Sequence, residues 1–312
     1  MTTRRRFMLG AATVLAAPAV IARRGYAVEM TSVKIGSILG GTTTAGELMP
    51  KYLKEVGVTA EVVNFPNITQ RMQAVASGDV QIGYGGINAA ISMLQRGFKL
   101  SLLANACDGG SYCLGKPQFK SLTDLKGKKL AVTAGTISHA AAQWKLHALG
   151  LQDSVELVFM NYADMPVPMQ RGDIDAMVAF EPYPTYVRLN GWATDLWEPY
   201  DTPMGRTNLG FMAAQDFIKK YPVLAREMVK AHVKATAELV NDPSLAVDTI
   251  AKVLNLPKPV AESSIKNTFF TAKSDDAFQK SVMAMGEMMV ESKMMEKVPD
   301  WTGFFDFSLV TA

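Results

Sequence analysis

A chain of 312 residues exceeds one ordinary hydrophobic core and suits two domains of about 120 to 150 residues each. Apolar residues make up 48% and charged residues 20%, a globular balance that excludes disordered and fibrous classes. The formal charge of +3 comes from the first 27 residues, which hold five arginines and no acid, and the remainder carries 27 basic against 29 acidic residues. No basic stripe is present to displace counterions, so nucleic-acid binding is set aside.

Residues 1–27 have a basic start, an apolar run over 7–21 and small residues at Gly25 and Ala27, the anatomy of an export signal. Thr3-Arg4-Arg5-Arg6-Phe7-Met8-Leu9 resembles the twin-arginine address for export of folded proteins, with cleavage expected after Ala27. An apolar run of about 15 residues interrupted by Pro18 falls short of the roughly 20 needed to span a bilayer. No cysteine closes the run, so a lipid anchor is not expected and the mature chain should be free in the periplasm. Cys107 and Cys113 are the only cysteines. In that compartment they form either a short disulfide staple, worth about 2 to 3 kcal/mol, or two buried thiols.

Beyond the signal, β-type runs at 32–37, 60–65 and 80–84 alternate with helical periodicity at 45–55, 69–77 and 89–96. After the loop Gly115-Lys116-Pro117 the alternation resumes. Strands are expected at 128–133, 155–159 and 176–179, and helices at 140–149, 165–171 and 184–189. The two alternations predict largely parallel sheets covered by helices, with ligand-facing loops at the carboxyl ends of the strands. From Ala214 the pattern turns helical, with Pro222, Pro243, Pro257 and Pro259 near helix starts or breaks. The run containing Met283, Met285, Met288, Met289, Met294 and Met295 offers soft donors for copper(I). Its spacing at 285, 288 and 289 instead reads as a core-facing helix, and no His or Cys accompanies it.

Four stretches carry function. The first, 72–86, reads as a helix closed by Gly78, a strand, and the exit Gly83-Tyr84-Gly85-Gly86, where glycine lets a ligand approach the main chain. The next helix then offers its free amides, and Asn88 adds a side-chain amide. The others are Ser121-Leu122-Thr123-Asp124-Leu125-Lys126-Gly127 with the following Gly135-Thr136-Ile137-Ser138-His139, then Gly172-Asp173-Ile174-Asp175-Ala176, then Phe180-Glu181-Pro182-Tyr183. The stretches from Ser121 to Tyr183, in this order and spacing, resemble the nitrate, sulfonate and taurine group of periplasmic substrate-binding proteins. The likeness covers about residues 33–241.

That resemblance implies a type II periplasmic binding fold, α/β, with two lobes that close like a hinge over one ligand and extra C-terminal helices. Lobe 1 is expected at 30–111 plus 206–312 and lobe 2 at 112–205, with hinges near 112–117 and 203–208. Carried over by position, first-lobe ligand contacts fall on Gly41, Thr42, Thr43, Gly86, Ile87 and Asn88. Second-lobe contacts fall on Thr136, Ser138 and His139, at a helix start where hydroxyls and amides hold an anion without an arginine. Ordinary helix capping is the alternative there. Glu181, ending an apolar strand, needs a partner. It either meets a ligand amine or supports the loop and bridges the lobes. Tyr112, Tyr183 and Trp192 are candidate walls of the cleft.

The implied partners are a small solute and the permease and ATPase of an ABC importer, with a monomer, no cofactor and no metal expected. The leading ligand is a small sulfonate or zwitterion such as taurine, the alternative nitrate or an uncharged heteroaromatic nutrient such as a pyrimidine. An enzyme is not expected. His139, His147 and His232 are the only histidines, and no Gly-x-Ser-x-Gly elbow supports the adjacency of Ser138 and His139 as a hydrolytic pair.

Overall fold

The computed structural model describes residues 30–38, 41–65 and 68–310, so the export signal read in 1–27 lies outside the described residues. Among the described residues no helix is long and apolar enough to cross a membrane. The chain begins β1 (Ser32–Ser37), α1 (Thr44–Lys54), β2 (Thr59–Asn64), α2 (Ile68–Ser77), β3 (Ile82–Gly86), α3 (Ile87–Gln95) and β4 (Leu100–Gly109). It continues with β5 (Ser111–Gly115), β6 (Lys129–Val132), α4 (Ile137–Ala148), β7 (Glu156–Phe159), α5 (Pro166–Arg171), β8 (Ala176–Phe180), α6 (Tyr183–Leu189) and β9 (Thr194–Trp197). It returns through β10 (Thr207–Ala214) to α7 (Gln215–Lys220), α8 (Pro222–Asn241), α9 (Pro243–Val253), α10 (Lys258–Ile265), β11 (Thr268–Phe270) and α11 (Asp276–Glu291).

These strands make two sheets, in the orders β11-β4-β10-β3-β1-β2 and β7-β6-β8-β5-β9. Lobe 1 is built on the first and lobe 2 on the second. β1 pairs in parallel with β2 and β3, and β6 with β7 and β8. Each parallel set is extended by antiparallel strands that the sequence pattern did not reveal: β10 and β4 in lobe 1, β5 and β9 in lobe 2. The reason is burial. All eight residues of β10 and nine of the ten in β4 are buried, and a strand covered on both faces shows no polar alternation.

The C-terminal segment is helical as expected, apart from β11, which pairs antiparallel with β4. Pro222 and Pro243 open α8 and α9, where a missing N–H removes no hydrogen bond. Asp275 caps α11 by accepting from Phe278 N at 3.0 Å. One face of the first sheet packs Ile35, Tyr84 and Phe211 against Met49 of α1 and Leu224 and Met228 of α8. The other packs α2, α3 and α11, and there Met285, Met288 and Met289 are buried among Val75, Leu102 and Met212. These methionines fill the core. On the same face the Met72 sulfur and a Val75 methyl stand where a Cβ on Gly85 or Gly83 would be, at 2.4 and 2.7 Å. The two glycines therefore let α2 lie close on β3.

Fully buried His232 sits in the lobe 1 core. Its Nε2 donates to Asn105 O at 2.9 Å, so its Nδ1 accepts from the Tyr84 hydroxyl at 3.0 Å. Phe211 stacks on the ring, centroids 4.6 Å apart. Burial pushes the imidazole down to about 4, so it is neutral at pH 7.

The chain leaves the first sheet at Gly109 and Gly110, both at positive φ (69° and 82°), and β5 begins at once in the second sheet. Gly109 N donates to Arg206 O at 2.8 Å, so the two crossovers run side by side. This turn also corrects the disulfide staple. Cys107 and Cys113 are free and buried, because the Gly-Gly turn sends them into the cores of different lobes. Burial raises both thiols, Cys113 to about 12, well away from reactive thiolate chemistry.

Candidate ligand-binding cleft

The loops that follow β1, β3, β6 and β8 meet between the lobes and enclose two adjoining chambers. The inner one, of about 20 Å³, is lined by Thr42, Gly86, Ser111, Thr136, Ser138 and Asn208, with Ile68, Ile137, Tyr162, Phe180 and Leu209 completing its wall. The outer one, of about 400 Å³, is mainly apolar. Its walls are Ile38, Phe65, Ile68, Ala134, Tyr162, Ala163, Phe180, Tyr183, Val253 and Leu254, with Thr69, Thr133, Thr136, Asn161 and Asn255. Ile68, Thr136, Tyr162 and Phe180 belong to both.

Four helices start at the inner chamber. Thr42 lies in the single turn that leads into α1, Ile68 is the first residue of α2, Gly86 caps α3, and Thr136 caps α4 with Ile137 and Ser138 in its first turn. A helix start is the positive end of a helix dipole, and its first amides have no partner within the helix itself. No Asp or Glu lines either chamber. The chamber therefore favours negative charge without a lining arginine.

One turn into α2, Arg71 is fully buried, and its three guanidinium nitrogens have no hydrogen-bond partner among the described residues. Its stem lies on Gly36, whose missing Cβ would stand 3.2 Å from the Arg71 Cγ. Burial lowers its pKa to about 9, so it still carries its charge at pH 7. An uncompensated cation inside a lobe is costly unless an anion comes near. Sequence reasoning passed over it because Arg71 sits on a helix that reads as ordinary amphipathic packing.

The expected contacts divide. Thr42, Gly86, Thr136 and Ser138 line the inner chamber. Gly41 lies instead between the lobes, its missing Cβ 3.2 Å from Ile250 Cδ1 of lobe 1 and 3.6 Å from Glu181 O of lobe 2. Thr43 donates to Ile38 O at 2.7 Å and faces a side crevice, and Ile87 is core. Asn88 reaches across the cleft, its Nδ2 donating to Gly135 O at 2.8 Å. The His139 ring turns out of both chambers: its Nδ1 accepts from Gly135 N at 3.3 Å and its ring meets Phe159 edge-on. Thr136 also acts as the helix cap, accepting from His139 N at 3.3 Å.

The Glu181 carboxylate is fully buried and occupied. Thr185 donates to it through N at 3.2 Å and Oγ1 at 2.9 Å, and Asn267 of lobe 1 donates Nδ2 at 2.8 Å. Arg188 stands 3.9 Å away. Burial pushes this carboxyl up to about 7, against the lowering effect of Asn267 and Thr185. Its backbone N donates to Gly110 O at 2.7 Å, beside the crossover. Glu181 thus bridges the lobes and lines neither chamber. Of the candidate walls, Tyr183 lines the outer chamber, whereas Tyr112 lies under the Arg188 guanidinium and Trp192 pairs with Tyr186.

Two mixed sheets joined by adjacent crossovers, with a helix-lined cleft between them, define a two-lobed solute-binding protein fold. In solved structures the chain is similar to the ligand-binding component of an ABC-type import system from Staphylococcus aureus with zinc bound, at TM-score 0.79 and 16% identity, covering 90% of this chain and 98% of that one. It is also similar to the alkanesulfonate-binding protein SsuA from Xanthomonas axonopodis pv. citri bound to MOPS, at TM-score 0.77 and 18% identity, covering 90% and 100%. In sequence it is 25% identical over 275 residues to the taurine-binding periplasmic protein of Escherichia coli (strain K12), covering 85% of each chain. Residues 50–246 match the NMT1/THI5-like family, and the chain belongs to that family.

Proposed function

We propose that this protein is the periplasmic solute receptor of an ABC importer and that it captures a small organic sulfonate, taurine-like or alkanesulfonate-like. The observation that carries the reading is the convergence of four helix starts on a chamber with no carboxylate in its lining. Buried Arg71 adds a fixed charge one turn away, and the names of the relatives point to the same ligand class. The inner chamber has room for about one water-sized group, so it accepts a single sulfonate oxygen while the sulfur stays at the junction of the two chambers.

In this reading residues 30–111 plus 206–312 form one moving lobe and 112–205 the other, hinged at the two crossovers. Asn88 on Gly135 and Asn267 on Glu181 hold the lobes together. Closing over the solute and presenting a new shape to a permease are then one event. Export through the twin-arginine route delivers the folded chain to that transporter.

A thermal-shift screen of the mature chain, refolded to strip carried-over solute, tests this against sulfonates, nitrate, carboxylates, amines and pyrimidines. A sulfonate at 100 times its Kd is expected to stabilise by about 2.7 kcal/mol. A shift with pyrimidines and none with sulfonates would overturn the reading.

A further inference from the structure

The two chambers differ in chemistry, and the difference selects the part of the ligand beyond its sulfonate. Phe65, Tyr162, Phe180 and Tyr183 surround the outer chamber. Phe180 meets the Tyr162 ring edge-on at 4.4 Å and the Tyr183 ring edge-on at 6.3 Å, so this wall already packs aromatics edge-to-face, one of their preferred geometries. Several polar groups there are already engaged: Thr133 Oγ1 donates to Met160 O, Thr136 Oγ1 to Thr133 O, and Asn161 Nδ2 to Asp164. A volume of about 400 Å³ lies within the range of small-molecule sites and far exceeds an aminoethyl group.

An ammonium in this space would meet no carboxylate among the described lining residues, and only ring faces would be left to hold it. Glu181 spends its oxygens on Thr185 and Asn267. Glu47 faces a separate crevice of about 10 Å³.

We propose that the captured solute is an arylsulfonate without an amine, its sulfonate at the helix starts of the inner chamber and its ring in the outer chamber. This rests on the sulfonate-receptor reading and narrows it. Calorimetric titration of the mature chain with methanesulfonate, ethanesulfonate, taurine, benzenesulfonate and naphthalene-2-sulfonate separates the two. Apolar burial predicts affinity rising by about tenfold to a hundredfold from methanesulfonate to naphthalene-2-sulfonate, with taurine no tighter than ethanesulfonate. Ala134 is exposed and lines only the outer chamber, so Ala134→Trp is expected to lower the affinity for naphthalene-2-sulfonate far more than that for methanesulfonate and so to remove the advantage of the larger ring.

Taurine binding well above ethanesulfonate, or equal affinity across the series, overturns the aryl assignment and leaves the sulfonate receptor standing. Failure of every sulfonate to bind overturns both.

Discussion

His232 in lobe 1 and Glu181 at the seam between the lobes are both fully buried, and burial shifts them in opposite directions. The imidazole, sealed between Tyr84, Asn105 and Phe211, is held neutral by its core and touches nothing in lobe 2. The carboxylate is shared, with Thr185 on its own side and Asn267 on the other. A sealed group serves the stability of one lobe. A shared group ties that stability to how the lobes meet.

The largest expected effect breaks the sealed side. Phe211 is fully buried, stacked on His232 and 5.0 Å from the Tyr84 ring, so Phe211→Ala should cost about 3 to 5 kcal/mol in urea unfolding. Next comes pH. With a folded pKa of about 4 against 6.5 unfolded, His232 contributes stability that is full above pH 6.5 and lost as pH falls toward 4, up to about 3 kcal/mol. Glu181 runs the other way: its folded pKa of about 7 lies above the unfolded 4.5, so its contribution is full below pH 4.5 and lost as pH rises through 7, by a similar amount.

His232 and Glu181 titrate over overlapping windows with opposite signs, so their contributions nearly cancel from pH 4.5 to 6.5 and thermal melts of the parent should change little there. Glu181→Gln should uncover the full loss of stability from His232 as pH falls below 6.5, and a melt profile as flat as the parent's would remove Glu181 from the account. The smallest effect lies across the cleft. Asn88→Ala removes one neutral hydrogen bond to Gly135, worth about 0.5 to 1.5 kcal/mol, and should weaken ligand binding by about two- to tenfold with the unfolding midpoint of the free protein little moved.

Periodicity located the βα halves of both lobes through the amphipathic helices that pace their strands, even where, as in β3 and β8, every strand residue is buried. It missed β4, β5, β9 and β10, for which no polar alternation was available to read in the two longest. Within the cleft, Thr42, Gly86, Thr136 and Ser138 were legible as residues at helix starts. Ser111 and Asn208 were not, since they are small polar residues in the first two positions of buried strands beside the crossovers. Two small polar residues flanking fully apolar runs were the available signal. Val253, Leu254 and Asn255 reach the outer chamber from the end of α9, remote in sequence from every motif, and only the packing of α9 on lobe 1 brings them there. His139 stood in the right motif on the wrong side of its helix, three residues past the cap, where its ring swings back to Gly135 N.

The inner chamber is made of helix starts, which are backbone, and the outer chamber of side chains drawn from separate stretches of chain. Heritable change acts on these two unequally. Most substitutions leave an amide in place, so the anion grip resists drift, while exchanges at Phe65, Val253 or Leu254 reshape the outer wall one residue at a time. On the proposed function, a lineage carrying this protein could change its solute without rebuilding the grip on the anionic group.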